Sequence, residues 1–261
     1  MMKSSRIGAC LIVLVVSLSP GYVAADTIFG IYAGAGAWFS EYNGDFSSDD
    51  AVDINLGDDL SFDKDNANSF YVAIEHPIPV LPNFRVQRTE VAIDENSELA
   101  SQIEFDGAEF SSTEEVTAKL DLTHTDLTLY YEVLDNWVSL DLGVTVRVFD
   151  GEVLLQGTTI DPDTSEPVFA RQEIDVPIPM LYGKARFDLP FSGLAVEAEG
   201  NILEVSGNGV ADATLKLAYE AKFGIGAEIG YRVFQLTLDD QDDLNAEVTI
   251  DGIYIGLSLH I

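Results

Sequence analysis

Trp137-Val138-Ser139-Leu140-Asp141-Leu142-Gly143-Val144-Thr145-Val146-Arg147-Val148-Phe149 alternates from end to end. Val138, Leu140, Leu142, Val144, Val146 and Val148 fall on one face; Ser139, Asp141, Gly143, Thr145, Arg147 and Phe149 fall on the other. Successive side chains of a strand point to opposite faces, so this period of two gives one wholly apolar face and one mixed face. About 9–11 tilted strand residues cross a bilayer, and this apolar face is long enough to do so.

The same pattern recurs on both sides of it. Ile28–Ser40 places Phe29, Ile31, Ala33, Ala35, Ala37 and Phe39 on one side, with Gly30, Tyr32, Gly34, Gly36 and Trp38 on the other. Further strands are expected at Phe70–His76, Phe84–Ile93, Leu120–Val133, Arg171–Phe187, Leu194–Leu203, Asp212–Lys222, Gly224–Leu238 and Val248–Ile261, which with Trp137–Leu155 makes ten. The parity slips near Arg88 and near Leu181, and each slip is expected to be a β-bulge. Pro177 and Pro179 cannot donate to a ladder.

Connections alternate in length. Glu41–Ser69, Asp94–Lys119 and Gln156–Ala170 are long, and Val205–Ala211 and Asp239–Glu247 fall in the same series. Pro77–Asn83, Leu134–Asn136, Asp188–Gly193 and the junction at Phe223-Gly224 are short. An antiparallel meander with long loops at one end and tight turns at the other is the layout of an outer-membrane barrel, with the tight turns periplasmic. The expected fold is therefore all-β, a transmembrane antiparallel β-barrel of about ten strands. Phe84, Trp137, Phe187, Phe191 and Phe223 gather near the short turns, and Trp38, Phe39 and Phe149 near the long loops, as two aromatic girdles. The rival is a soluble β-sandwich or lipocalin-like barrel; the long apolar faces on strand after strand and the asymmetry of the loops argue against it.

The start of the chain reads as a secretory signal. Lys3 and Arg6 precede an apolar run, Ile7 to Leu18, too short for a spanning helix of about 20 residues. Pro20 and Gly21 break it, and Val23-Ala24-Ala25 supplies small residues for cleavage. The expected division is a signal peptide at 1–25 and a barrel domain at 26–261. Cys10 is the one cysteine and lies inside the signal, so cysteine chemistry is excluded from the mature chain. Cleavage removes two of 13 basic residues and none of 45 acidic ones, moving the net charge from −32 to −34. So acidic a chain repels nucleic acid and suits an aqueous surface facing cations. Acidity can also mark disorder, but 47% of the residues are hydrophobic, which argues against it. After the signal no segment approaches the roughly 18 consecutive apolar residues of a transmembrane helix.

Glu75-His76-Pro77-Ile78-Pro79-Val80-Leu81-Pro82-Asn83, Tyr131-Glu132-Val133-Leu134-Asp135-Asn136-Trp137 followed by Asp141-Leu142-Gly143, and Tyr32-Ala33-Gly34-Ala35-Gly36-Ala37-Trp38 resemble an uncharacterised family of proteobacterial outer-membrane β-barrel proteins. The resemblance extends over the whole mature chain, with the Glu-His-Pro-x-Pro-x-Leu-Pro-Asn string its most specific part. It implies an outer-membrane barrel and no particular substrate or catalytic residue. The C-terminus resembles the signal read by the barrel-assembly machinery: Tyr254, Gly256, Leu259 and Ile261 have its spacing, with Ile261 in place of the usual Phe.

The mixed faces carry both signs of charge. Asp126, Glu132, Asp141, Glu197, Glu199, Glu220 and Glu228 are candidate lumen acids; Arg147, Lys216, Lys222 and Arg232 are candidate lumen bases. A narrow barrel is filled by side chains, and buried charges demand partners, so a salt-bridged plug is expected. His124 and Asp126 share one strand face near Asp121, which suggests a base and an orienting acid for a hydrolase. No partner nucleophile accompanies them, and the structural reading is preferred. His76 and His260 read as turn and interface residues. Asp45 to Asp65 and Asp239-Asp240-Gln241-Asp242-Asp243 are acidic runs suited to weak Ca²⁺ or Mg²⁺ contact shared with lipopolysaccharide phosphates, but neither has calcium-loop spacing. Gly34 and Gly36 read as packing positions.

Three functions follow. The first is a non-enzymatic barrel with acidic extracellular loops and a charge-filled lumen, in contact with outer-membrane lipids and lipopolysaccharide. The second is a small-solute channel, and the third an outer-membrane hydrolase using His124 and Asp126. The first is preferred, with no catalytic, cofactor-binding or metal-binding residue assigned.

Overall fold

A computed structural model describes residues 29–48, 52–160, 165–241 and 244–261. The expected signal segment 1–25, and Asp49, Asp50 and the Asp242-Asp243 pair of the acidic runs, lie outside the described residues.

Strands follow one another with no helix among the described residues: β1 (Gly30–Ser48), β2 (Ile54–Asn55), β3 (Lys64–Glu75), β4 (Asn83–Glu90), β5 (Ala92–Glu98) and β6 (Ile103–Phe105). Next come β7 (Ala108–Phe110), β8 (Glu115–Asp121), β9 (His124–Asp135), β10 (Val138–Phe149), β11 (Gly151–Ile160) and β12 (Pro167–Ile174). The series ends with β13 (Pro177–Leu189), β14 (Leu194–Val205), β15 (Asn208–Glu220), β16 (Ile225–Gln241) and β17 (Leu244–His260). Ten of them, β1, β3, β4, β9, β10 and β13 to β17, pair antiparallel with their neighbours, and β17 returns to pair with β1 from Tyr32↔His260 upward. The sheet closes into a ten-stranded barrel. Backbone bonds between Ile31 and Ile261, 2.9 and 3.0 Å long, finish the seam.

Alternation assigns the faces as the sequence does. Leu142, Val144 and Val146 are 49, 52 and 40% exposed on the outside, whereas Thr145 and Arg147 are fully buried inside. Leu127, Leu129, Leu215, Leu217, Ile229, Ile253, Ile255 and Leu257 continue the exposed apolar belt around the barrel.

Four expected strands prove to be two strands each. Phe84–Ile93 divides at Val91, Leu120–Val133 at Leu122 and Thr123, Trp137–Leu155 at Asp150, and Arg171–Phe187 at Asp175 and Val176. Beyond these points the chain forms a separate four-stranded sheet, ordered β12-β11-β8-β5, above β13, β10, β9 and β4. The connections expected at Asp94–Lys119 and Gln156–Ala170 are therefore largely strands, with a β6–β7 hairpin between β5 and β8.

The parity slips are not bulges. The pairings of β4 with β3 and β9, and of β13 with β10 and β14, run without a register shift. Arg85, Thr89, Val91 and Ile93 all point inward along β4 and β5, and Ala170, Met180 and Tyr182 do so along β12 and β13. What changes is the environment. In the belt the inside is polar and the outside apolar; above it the inside is apolar and the outside polar. The one register shift near the tight turns falls between Leu140 and Asp141 of β10, opposite Val133 of β9. It leaves both Val133 and Leu134 facing outward.

The apolar interior above the belt is continuous. Trp38, Phe149, Phe234 and Ile250 form its floor, and Phe105, Phe110, Leu120 and Leu155 lie among its members. The segment between β1 and β3 is not a solvated loop. Ile54, Leu56, Leu60 and Phe62 are fully buried in this core, while Asp53, Asp58 and Asp63 stay exposed. Leu56 N donates to Gly44 O at 3.0 Å, and Gly44 has φ +124°, in the half of conformational space that favours glycine. A Cβ there would strike the Glu247 carbonyl. Trp38 and Phe149 thus belong to the core and not to an outer girdle; Phe39 alone of that expected trio is exposed. The girdle at the short turns matches expectation, with Trp137 edge-on to Phe187 at 5.2 Å and Phe84, Phe191 and Phe223 exposed.

Candidate functional site: the charged lumen

Below the apolar floor lies a layer of four charges. Arg147 comes from β10, Asp126 from β9, Asp212 from β15 and Arg232 from β16. Arg147 Nε and Nη2 donate to the two oxygens of Asp126 at 2.7 Å, and Nη2 also reaches Asp212 Oδ2 at 2.7 Å. Arg232 grips Asp212 with Nε at 2.9 Å and Nη2 at 2.7 Å, and its guanidinium lies 4.7 Å from the centre of the Trp38 ring. Two arginines face two aspartates, so the layer is neutral. Such a set is held by mutual pairing, because each ion costs several kcal/mol to strip of water. Thr128 and Thr145 share a hydrogen bond of 2.8 Å in the same interior.

His124 and Asp126 do lie on one inward face, but not as base and orienting acid. Both carboxylate oxygens of Asp126 are occupied by Arg147. His124 is buried with its Nδ1 2.8 Å from Leu122 O, and its ring packs between Phe149 at 5.4 Å and Phe234 at 6.3 Å. Asp121 belongs to the outer sheet, where Lys119 Nζ is 3.3 Å away.

A second charged layer lies toward the short turns. Lys216 is within 2.9 Å of both Glu197 and Glu228, and 3.7 Å from Glu199. Arg85, an inward residue that the sequence reading passed over, pairs with Glu199 and stacks on Tyr71 at 4.4 Å. Lys184 and Arg186, likewise missed, approach Asp141 at 3.6 Å and Glu197 at 3.5 Å. All three have the inward parity of their strands, which the change of face near Arg88 and Leu181 obscures in the sequence. Lys222, expected in the lumen, is exposed in the β15–β16 turn, and Glu220 is at the rim beside His260 at 3.5 Å. This layer opens into a vestibule of about 560 Å³ at the short-turn end.

The remaining histidines and glycines are structural. His76 N donates to Asn83 Oδ1 at 3.0 Å and its ring Nε2 is 3.2 Å from Pro82 O, closing the Pro77–Asn83 turn. His260 stacks on Tyr32 at 4.2 Å. A Cβ at Gly34 would collide with the Tyr71 ring, and one at Gly36 with Tyr254.

Above the belt, Glu114 organises the outer cap. Its carboxylate accepts backbone N–H bonds from Ser111 at 3.0 Å, Thr158 at 2.9 Å and Thr159 at 2.7 Å, tying the β7–β8 connection to β11. Burial alone would raise the Glu114 pKa, but these donors outweigh it and hold the group below the ordinary carboxylate value. On the outer face of the sheet, Glu152 joins Lys119 and Arg171, each at 2.7 Å. No three metal-ligating side chains among the described residues converge on a metal-sized site.

No protein-family model matches the sequence, and no curated protein matches it at a significant level. A solved structure does share its architecture. The outer-membrane protease OmpT from Escherichia coli superposes with a TM-score of 0.53 at 8% identity, covering 91% of this chain and all of that one (100%). Ail, the attachment invasion locus protein of Yersinia pestis, gives a TM-score of 0.34 at 10% identity over 90% of this chain and 100% of its own. A FadL homologue from Pseudomonas aeruginosa gives 0.34 at 10% identity over 88% of this chain and 90% of its own. The first of these likenesses establishes the fold and nothing about chemistry.

Proposed function

We propose that the chain is an integral outer-membrane β-barrel protein, neither an enzyme nor a channel, whose sealed barrel carries a folded, acidic platform outside the membrane. The single observation that carries this reading is the inversion of the inward face. The lumen passes from paired charges into a buried apolar core that continues into the outer sheet. A solute entering from the short turns would meet the neutral arginine–aspartate layer and then the core above it. A hydrolase needs its base at a surface, whereas His124 is enclosed by phenylalanines and Asp126 is committed to Arg147.

The exposed apolar belt and the aromatics at the short turns favour a bilayer as the barrel's surroundings. Lipids and lipopolysaccharide are then its lateral partners, with divalent cations at the exposed acidic residues as a weaker contact. Tyr254, Gly256 and Leu259 lie in the closing strand and Ile261 directly follows it, bonded to Ile31, where the assembly machinery would engage the chain. Reconstitution into planar bilayers tests the sealed lumen: the expected trace shows no discrete conductance steps, and reproducible steps would overturn the reading.

A further inference from the structure

The vestibule at the short-turn end is out of electrostatic balance, unlike the layer above it. Nine Asp and Glu residues line it against four Lys and Arg, so at least five carboxylates lack a cation of their own. The deficit is concentrated. Glu132 of β9 and Asp141 of β10 are register partners, and like charges directly opposite on antiparallel strands repel. The one register shift of that pairing falls beside them, and bulges of this kind re-aim side chains next to functional sites.

Asp141 is 3% exposed, and its Oδ1 has no hydrogen-bond partner, while the nearest cation, Lys184 Nζ, is 3.6 Å from Oδ2. Glu75, 8% exposed, accepts a hydrogen bond of 2.8 Å from the Tyr130 hydroxyl. Among the described residues no Lys or Arg forms an ion pair with Glu75 or Glu132. Desolvated carboxylates in this state are costly, and a buried group left unsatisfied in a folded protein calls for an explanation.

A cation supplied from outside would complete the arrangement. A bare metal ion suits it poorly, since the carboxylates do not converge as a ligand set among the described residues. Separated ammonium groups on a flexible chain match dispersed carboxylates better. Tyr130 and Tyr182, 5.7 Å apart, and Tyr32, stacked on His260, add aromatic faces that attract organic cations. The cavity of about 560 Å³ is within the range of small-molecule sites. We propose that this vestibule binds a linear polyamine whose ammonium groups seat on Glu132, Asp141 and Glu75. The site is the same whichever side of a membrane it faces, so it stands apart from the proposed function.

Spermidine is the probe, titrated calorimetrically into the purified protein in non-ionic detergent at low ionic strength. The wild type is expected to bind it saturably and to gain thermal stability. Glu132→Gln and Asp141→Asn are expected to bind about tenfold more weakly, the cost of losing one close charge partner. Glu132→Gln removes a repulsion, so its Tm without ligand should be unchanged or raised, and a given spermidine concentration should raise it less than it raises that of the wild type. Glu95→Gln, on the exposed outer sheet, should bind as the wild type does. Unaltered binding in Glu132→Gln, equal loss in Glu95→Gln, or displacement of spermidine by equimolar Mg²⁺ would overturn the proposal.

Discussion

At the scale of the residue, Glu114 ties two segments of the outer cap together. Its three backbone donors come from two segments far apart in sequence, so its carboxylate closes a long loop. Because its folded pKa is depressed, its contribution is fully present above the ordinary value of 4.5 and is lost as pH falls through the lower folded value. Glu114→Gln should cost the cap about 1–3 kcal/mol at neutral pH, as expected for charge-assisted hydrogen bonds to a buried acceptor. Amide exchange at Thr158 and Thr159, corrected for intrinsic rates, reads this out. Protection should fall in the variant at pH 7 and in the wild type only under acid; equal protection in both proteins at pH 7 would remove the carboxylate from the account. This role is not legible in the sequence, since the donors are main-chain groups brought together only by the fold. His124 and Asp126 show the reverse case. Their shared face is plain in the sequence, but Arg147, their competitor, sits on the next strand.

At the scale of the element, alternation carried most of the information. Trp137–Phe149 has the faces its sequence spells out, and the ten barrel strands fall near their expected places. Two of the four breaks stand in the sequence reading as apparent slips of parity, near Arg88 and Leu181, because apolar residues mark the outside in lipid and the inside in water; those within Leu120–Val133 and Trp137–Leu155 have no part in that reading. Phase is constant; the solvent changes. Val144 and Gln156 expose this directly, as both have outward parity along one run of chain and both are exposed. Val144→Arg should lose about 2–4 kcal/mol of stability in lipid. Gln156→Arg should fall within about 0.5 kcal/mol of the wild type. Urea unfolding in vesicles compares them, and equal losses would mean that β10 and β11 share one environment. Thr145, outwardly a tolerant lumen position, is fully buried beside Thr128, so the packed interior does not make it one.

At the scale of the whole molecule, ten strands close a barrel, paired charges fill its belt, and a single apolar core joins its upper half to a second sheet. Long connections between short turns pointed to loops; buried Ile54, Leu56, Leu60 and Phe62 make one of them part of the core instead. Spacing alone does not reveal this, because those four residues are scattered among exposed acids and obey neither strand nor helix periodicity. The proposed function requires that this barrel span the outer membrane with the cap outside and the short turns inside. Cys10, the only cysteine, lies in the expected signal segment, so single cysteines introduced at Glu109 and at Val80 report without competition once that segment is cleaved. Glu109 is exposed in the β6–β7 hairpin, and Val80 is 81% exposed in the Pro77–Asn83 turn. Intact cells are labelled with a membrane-impermeant maleimide. Glu109→Cys should react at once, and Val80→Cys only after the outer membrane is opened. Reaction of both in intact cells, or of Val80→Cys alone, would contradict this topology.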